Sequence, residues 1–248
     1  MLFRSGSSLA AAYLAGKNDL VAQEVGAVRR DGATGYGRLA DYGLYLDNTD
    51  QMAAGSAVWR SGAGGQLSDA SGVKAYLLAQ GALDRALADS CGEALTMVRE
   101  MKDLARGPVA SFNAGIAAGL CGDRAYAEKV WADLLQSYPQ NTAVMHYYVP
   151  DLEAAAELGA RDPASALSVL ARVEQHDQVS LTPYLRGLAH VAVGKAPLAV
   201  ADLQTVLAHR GEDFLLGSDV YPVAKSALER VSAIGASAAV DTEMMPGR

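Results

Sequence analysis

The sequence has few of the residues from which β-sheets and cysteine-based sites are built. Three Phe and two Trp occur among 248 residues, and β-branched residues are sparse, which disfavours a sandwich or a barrel. The only cysteines, Cys91 and Cys121, are 30 residues apart and form no CxxC motif. This pattern suggests neither a disulfide framework nor a zinc site. We therefore expect both cysteines to be buried free thiols.

Long runs of charge and of apolar residues are also missing. No five consecutive residues carry the same charge and the formal net charge is −7, which disfavours binding to a phosphate backbone. The longest apolar stretches, such as residues 9–15, are far shorter than the roughly 20 residues of a membrane span. The start of the chain resembles a secretion signal only faintly. We predict neither a nucleic-acid partner nor a transmembrane helix.

Alanine and leucine are abundant instead. The chain contains 47 Ala and 30 Leu, and half of its residues are apolar. Both residues are strong helix formers, and this apolar content is sufficient for a buried core. The composition predicts an all-α fold.

A repeated unit is clearest between residues 108 and 139, where small residues, Gly, an aromatic and Pro recur at spacings typical of a helix pair. These positions are Pro108, Gly115, Gly122, Ala127, Trp131 and Pro139. The spacing of Gly187, Gly194 and Ala199 repeats that of the corresponding positions. In such a unit, Gly ends the first helix and the small Ala lies where the helices cross.

Taking the crossing Ala as the anchor predicts six helix pairs at an average spacing of about 35 residues. The anchors are Ala22, Ala54, Ala86, Ala127, Ala166 and Ala199. Residues 221–234 then form a helix that caps the open end. We predict a single domain over residues 1–235 and a flexible tail over residues 236–248.

These units resemble the tetratricopeptide (TPR) regions behind bacterial serine/threonine protein kinase domains of the acidobacterial type, and behind some winged-helix regulators. The resemblance rests on residues 122–142, 160–170 and 184–211. It implies a right-handed α-solenoid of antiparallel helix pairs that contacts other proteins. It also implies a catalytic or DNA-binding module on the N-terminal side, so an abrupt start at Met1 fits a fragment of a longer product.

The sequence lacks the motifs of an enzyme of this signalling class. No HRD, DFG or VAIK-like motif is present, and no complete Walker A occurs. Residues 35–40 spell G-x-G-x-x-A, but the strand that must precede a nucleotide-binding turn is missing. We interpret these glycines as a turn between helices, and we predict a chain that is not an enzyme.

Titratable residues give no convincing catalytic or metal site. The four histidines form no HExxH motif, and we expect His190 to be a packed helix residue. Glu153 and Glu157 share a helix face, either as paired carboxylates or, as we favour, as a solvated acidic face. We predict no catalytic, cofactor-binding or metal-binding residues.

The function that remains is the binding of a protein or peptide in a concave groove. In TPR proteins this groove is lined mainly by the first helix of each pair. The candidate partner-binding residues are Phe112, Tyr148, Asp151, Tyr184 and Leu188. Tyr148 is the strongest candidate for an exposed contact aromatic. For Phe112 and Tyr184 we favour packing between units over contact with a partner.

We therefore predict a non-catalytic scaffold that binds a protein or peptide, as part of a kinase-type signalling protein. One alternative is the sensor or oligomerisation arm of a winged-helix regulator, which would self-associate. Another is an all-helical enzyme built as a toroid, although no convergent pair of acids stands out. We expect a cytoplasmic location, or an extracytoplasmic one if the chain is attached to a membrane-spanning kinase.

Overall fold

The computed structural model describes residues 7–32, 36–49, 51–64, 71–104, 106–173, 181–209 and 220–243. Within these ranges the regular structure is helical and no strand is found. The predicted all-α class is confirmed, whereas the right-handed solenoid stays a prediction. The helices are α1 (Ser7–Leu14), α2 (Asn18–Asp31), α3 (Tyr36–Asp47), α4 (Met52–Gly64), α5 (Ser71–Leu87), α6 (Cys91–Glu100), α7 (Pro108–Leu120), α8 (Arg124–Ser137), α9 (Val149–Gly159), α10 (Pro163–Leu170), α11 (Leu181–Ala192), α12 (Ala196–Ala208) and α13 (Val220–Glu243).

Helices that follow one another in the chain pack together. Each odd-numbered helix from α1 to α11 contacts the even-numbered helix that follows it. In addition, α7 contacts both α5 and α9. The predicted boundary between the domain and a tail at residue 236 falls inside α13. The G-x-G-x-x-A motif at residues 35–40 was expected to form a turn between helices. Tyr36 instead begins α3 and Gly37 lies in that helix, while Gly35 is outside the described residues.

Five of the turns between neighbouring helices share one backbone form. The first helix ends, three residues follow, and the middle one has a positive φ of 57° to 83°. These left-handed residues are Gly16, Asp89, Gly122, Arg161 and Gly194. Glycine adopts this conformation freely, while a side chain makes it less favourable. Because Asp89 and Arg161 are not glycines, a search of the sequence for glycine does not find these two turns.

The fifth residue after each left-handed position is buried early in the second helix. These residues are Val21, Ala94, Ala127, Ala166 and Ala199, and each of the four alanines has no exposed surface. Small side chains at this position let two helix backbones come close. The predicted anchors Ala127, Ala166 and Ala199 agree with this pattern.

The other three anchors are wrong. Ala22 and Ala54 are exposed, and Ala86 lies near the end of α5 rather than in the second helix of a pair. The error at Ala86 follows from Gly81, which precedes Ala86 by the same five residues as Gly122 precedes Ala127 and therefore predicted a helix end, but lies inside α5. A Cβ at Gly81 would be 3.1 Å from the Met97 sulfur, so this glycine serves close packing rather than a turn.

Helices α7 and α9 approach each other closely enough for their backbones to touch. A Cβ on Gly119 would lie 3.0 Å from the Ala156 nitrogen, and one on Gly159 would overlap the Gly119 carbonyl oxygen. Contacts of this kind are fixed by backbone position, which cannot relax as a side chain does. The two glycines therefore set the distance between α7 and α9.

Buried polar pairs connect other helices. Asn113 on α7 donates to the Gln80 side-chain oxygen on α5 at 3.0 Å, and the Trp59 ring nitrogen donates to Asp47 at 2.9 Å. All four side chains are buried. Because unsatisfied polar groups are costly in a core, each such pair favours one alignment of its two helices.

Asp41 on α3 should make stability depend on pH. Burial raises the pKa of its carboxyl from 3.8 to about 6, so the folded state binds the proton more tightly than the unfolded state does. Its contribution to stability is full below about pH 4 and is lost as pH rises through 6. We expect Asp41→Asn to raise the free energy of unfolding at pH 7.5 by about 1 kcal/mol, well below the unscreened value because the side chain is only half-buried.

Denaturant titrations of the two proteins at pH 4 and pH 7.5 measure this effect. At pH 4 the wild-type carboxyl is protonated and the variant should match it. The control is Asp103→Asn, which changes an exposed carboxyl in the turn after α6. An equal gain at both pH values would contradict the assignment to Asp41 ionisation.

Candidate functional site

The five predicted contact residues fall into three separate environments. Phe112 and Tyr148 stack on each other, Asp151 is buried in a helix contact, and Tyr184 and Leu188 line a cleft. Of these five, Tyr184 and Leu188 line a cleft between described residues.

Phe112 and Tyr148 form an aromatic stack between α7 and the start of α9. Their ring centroids are 4.2 Å apart with an angle of 18° between the planes. Tyr148 ends a π-helical segment, Val144–Tyr148, that runs directly into α9. Burial raises the pKa of the Tyr148 hydroxyl. Tyr148 is thus half-buried against Phe112 rather than the exposed aromatic that we expected.

Asp151 serves packing in the described structure. It is 3 % exposed, and the Thr182 hydroxyl on α11 is 2.9 Å and 3.1 Å from its two carboxylate oxygens. The hydroxyl donates to this carboxylate and so connects α9 to α11. A side chain held in this way has little freedom to meet an external partner.

The cleft lies between helices that are far apart in the sequence. The start of α4, the turn between α5 and α6, and the end of α7 form one side, and α11 and α13 form the other. Its volume is about 570 Å³, which is within the range of ligand sites. Met52, Leu188 and Val223 supply apolar surface.

Three ionisable side chains lie in the same cleft. Asp89, the left-handed residue of the α5–α6 turn, and Arg230 of α13 both line it, and both are exposed. Tyr184 of α11 also lines it, with 4 % of its surface exposed. Burial raises the pKa of its hydroxyl, the negative charge of Asp89 raises it further, and Arg230 opposes both. Both charges therefore affect the pKa of the Tyr184 hydroxyl.

A disulfide bond joins Cys91 to Cys121 at the edge of the cleft. Their Cα atoms are 5.2 Å apart, and both residues are half-buried. The prediction of free thiols is wrong, because the wide sequence separation gave no sign that the start of α6 meets the end of α7. The bond holds the α5–α6 turn beside α7.

The two acidic residues that share a face of α9 belong to two separate ion pairs. Glu153 pairs with Arg172, while Glu157 pairs with Arg124 at 2.9 Å. Each carboxylate is thus neutralised by a different arginine, so neither paired carboxylates nor a solvated acidic face describes them. Such ion pairs stabilise neighbouring helices modestly and leave no pair free for acid–base chemistry.

His190 belongs to another ion-paired cluster between α11 and α12. Its Nδ1 is 2.8 Å from one Asp202 oxygen, and the Arg186 Nε donates to the other at 2.7 Å. Asp202 is buried, and the Arg186 guanidinium and the His190 ring together contact both of its carboxylate oxygens, so its polar atoms have partners. Over the residues that the structure describes, no group of three or more His, Cys, Asp or Glu could hold a metal ion.

Sequence reasoning missed Asp89 and Arg230. Asp89 carried a usable signal, because it precedes the buried Ala94 by the same five residues that separate Gly122 from Ala127. Arg230 carried none, since only the fold brings α13 to the turn between α5 and α6.

No helix in the described part of the chain is long and apolar enough to cross a membrane. In comparisons with known proteins, no protein-family model, no curated protein and no solved structure matches this chain.

Proposed function

We propose that the chain is a non-catalytic scaffold whose cleft between α11, α13 and the α5–α6 turn binds a protein or peptide. The observation that supports this most directly is the position of Tyr184 and Leu188, which were expected to contact a partner and which line the same cleft. A cleft with apolar walls and a few polar groups fits recognition. The acidic pair on α9 is neutralised by arginines, which further favours binding over catalysis.

The biological setting that we propose is a signalling protein of the kinase type with a TPR-like binding region. The sequence resemblance supports this setting. Sequencing the coding region upstream of Met1 tests it, because a kinase domain there is expected and a DNA-binding domain would favour the regulator. Of the two expected locations, the Cys91–Cys121 bond favours the extracytoplasmic one, since disulfides persist in oxidising compartments.

Leu188→Glu should weaken partner binding at least tenfold, because it places a charge on an apolar wall of the cleft. The matched control is Leu198→Glu on α12, where the leucine is 49 % exposed and does not line the cleft. Quantitative mass spectrometry of proteins retained by wild type and by the two variants measures the difference.

We expect a defined set of partners to be lost with Leu188→Glu and kept with Leu198→Glu. Circular dichroism checks that both variants retain wild-type helicity. Equal retention by both variants would show that the cleft is not the binding surface.

A further inference from the structure

The three ionisable side chains of the cleft are not paired with other residues of the described structure. Across the described ranges, the side chains of Asp89, Arg230 and Tyr184 form no hydrogen bond and no ion pair, although all three line one cleft. Elsewhere in the described structure, Arg124 is paired with Glu157 and Arg172 with Glu153. Opposite charges that share a cleft without pairing leave both available to a ligand.

Tyr184 strengthens this interpretation. Most of its side chain is buried, but its hydroxyl is not one of the solvent-inaccessible polar atoms and forms no hydrogen bond with a described residue, so it is open to the cleft. A ligand atom in the cleft can therefore accept a hydrogen bond from this hydroxyl in place of water. Burial has the largest effect on the pKa of this hydroxyl, Asp89 also raises the pKa and Arg230 lowers it, so both charges act on a group that lines the same cleft.

The chemistry of the walls defines the ligand. Arg230 and the Tyr184 hydroxyl can both donate to a carboxylate, and Asp89 can accept from an ammonium or guanidinium. Met52 and Leu188 offer apolar surface beside them. A molecule that satisfies all of these groups carries one negative charge, one positive charge and apolar atoms between them.

We propose that the cleft binds a peptide segment through one acidic and one basic side chain, the acid held by Arg230 and Tyr184 and the base held by Asp89. The inference rests on the proposed function, because the segment belongs to the partner protein. It adds to that function the charge pattern that the partner must present.

A hexapeptide library with acetylated and amidated ends tests the charge pattern on the intact protein. The blocked ends ensure that any charge in a bound peptide comes from a side chain. We expect selected peptides to be enriched in both an acidic and a basic residue at a constant spacing. Fluorescence anisotropy then gives the affinity of the best peptide for each variant.

The variants separate the two charges. Arg230→Gln should abolish the acidic preference and leave the basic one, and Asp89→Asn should do the reverse while keeping a residue that tolerates the left-handed conformation. Tyr184→Phe should weaken binding about tenfold without removing either preference. Lys102→Gln and Asp103→Asn, which change exposed charges in the turn after α6, should leave binding unchanged.

The outcomes distinguish this inference from the proposed function. Selected peptides without a charge pattern, whose binding is still lost with Leu188→Glu, would overturn the inference and leave the scaffold function standing. Peptides that bind equally well to the Leu188→Glu variant would overturn both, and so would a library from which nothing is selected.

Discussion

Breaking the Cys91–Cys121 disulfide is expected to lower the melting temperature by about 10 °C. The bond closes a loop with a sequence separation of 30 residues. In the chain-entropy description, a loop of this size stabilises the folded state by about 3.6 kcal/mol at 25 °C. For a protein of this length, each kcal/mol corresponds to about 2–4 °C in melting temperature.

Differential scanning calorimetry with and without reductant measures this effect on the wild type. The double variant Cys91→Ala/Cys121→Ala provides the control, because it should melt near the reduced wild type and should not respond to reductant. Both cysteines are half-buried, so loss of their sulfur atoms adds only a small packing change. A wild type that is insensitive to full reduction would contradict the stabilising role of this bond.

Gly159→Ala should destabilise the protein by about 3 kcal/mol, the upper end of the usual cost of overpacking. The added methyl would overlap the Gly119 carbonyl oxygen and would lie 3.0 Å from the Gly122 nitrogen. Both atoms belong to the backbone at the end of α7, so the strain cannot be relieved by a side-chain rotation. We expect the two helices to separate, which also weakens the packing around Ala155 and Ala156.

Gly92→Ala is the matched control for this substitution. Gly92 lies in the first turn of α6, and a Cβ there would meet no atom within 4 Å. Alanine is the better helix former, so this change should be neutral or stabilising by up to about 1 kcal/mol. Urea titrations of the two variants measure the contrast. Equal destabilisation would show that glycine flexibility, rather than helix contact, explains the effect at Gly159.

Local sequence signals predicted much of the helical framework. Gly122 and Gly194 marked turns because glycine favours a positive φ, and Ala127 and Ala199 then followed at the expected spacing. The same turn at Asp89 was invisible because a non-glycine residue occupies it. Gly81 caused the opposite error, because it predicted a turn where the structure has a close contact between helices.

The candidate site could be predicted only on one of its sides. Tyr184 and Leu188 were expected to contact a partner because of their place in a repeat unit, which is local information. Arg230 and the pairing of Cys91 with Cys121 depend on contacts between distant segments. No periodicity reports such contacts, and a single sequence does not contain a separate signal for them.

The Cys91–Cys121 bond also limits how far the chain can be drawn out by a pulling force. It encloses all of α6 and α7, and the segment between its ends would span about 100 Å if fully extended, at about 3.5 Å per residue. While the bond is intact, tension on the two ends of the protein passes through the sulfur atoms and bypasses this segment. The force can extend the helices outside this loop, but it cannot extend α6 and α7 until the bond is reduced.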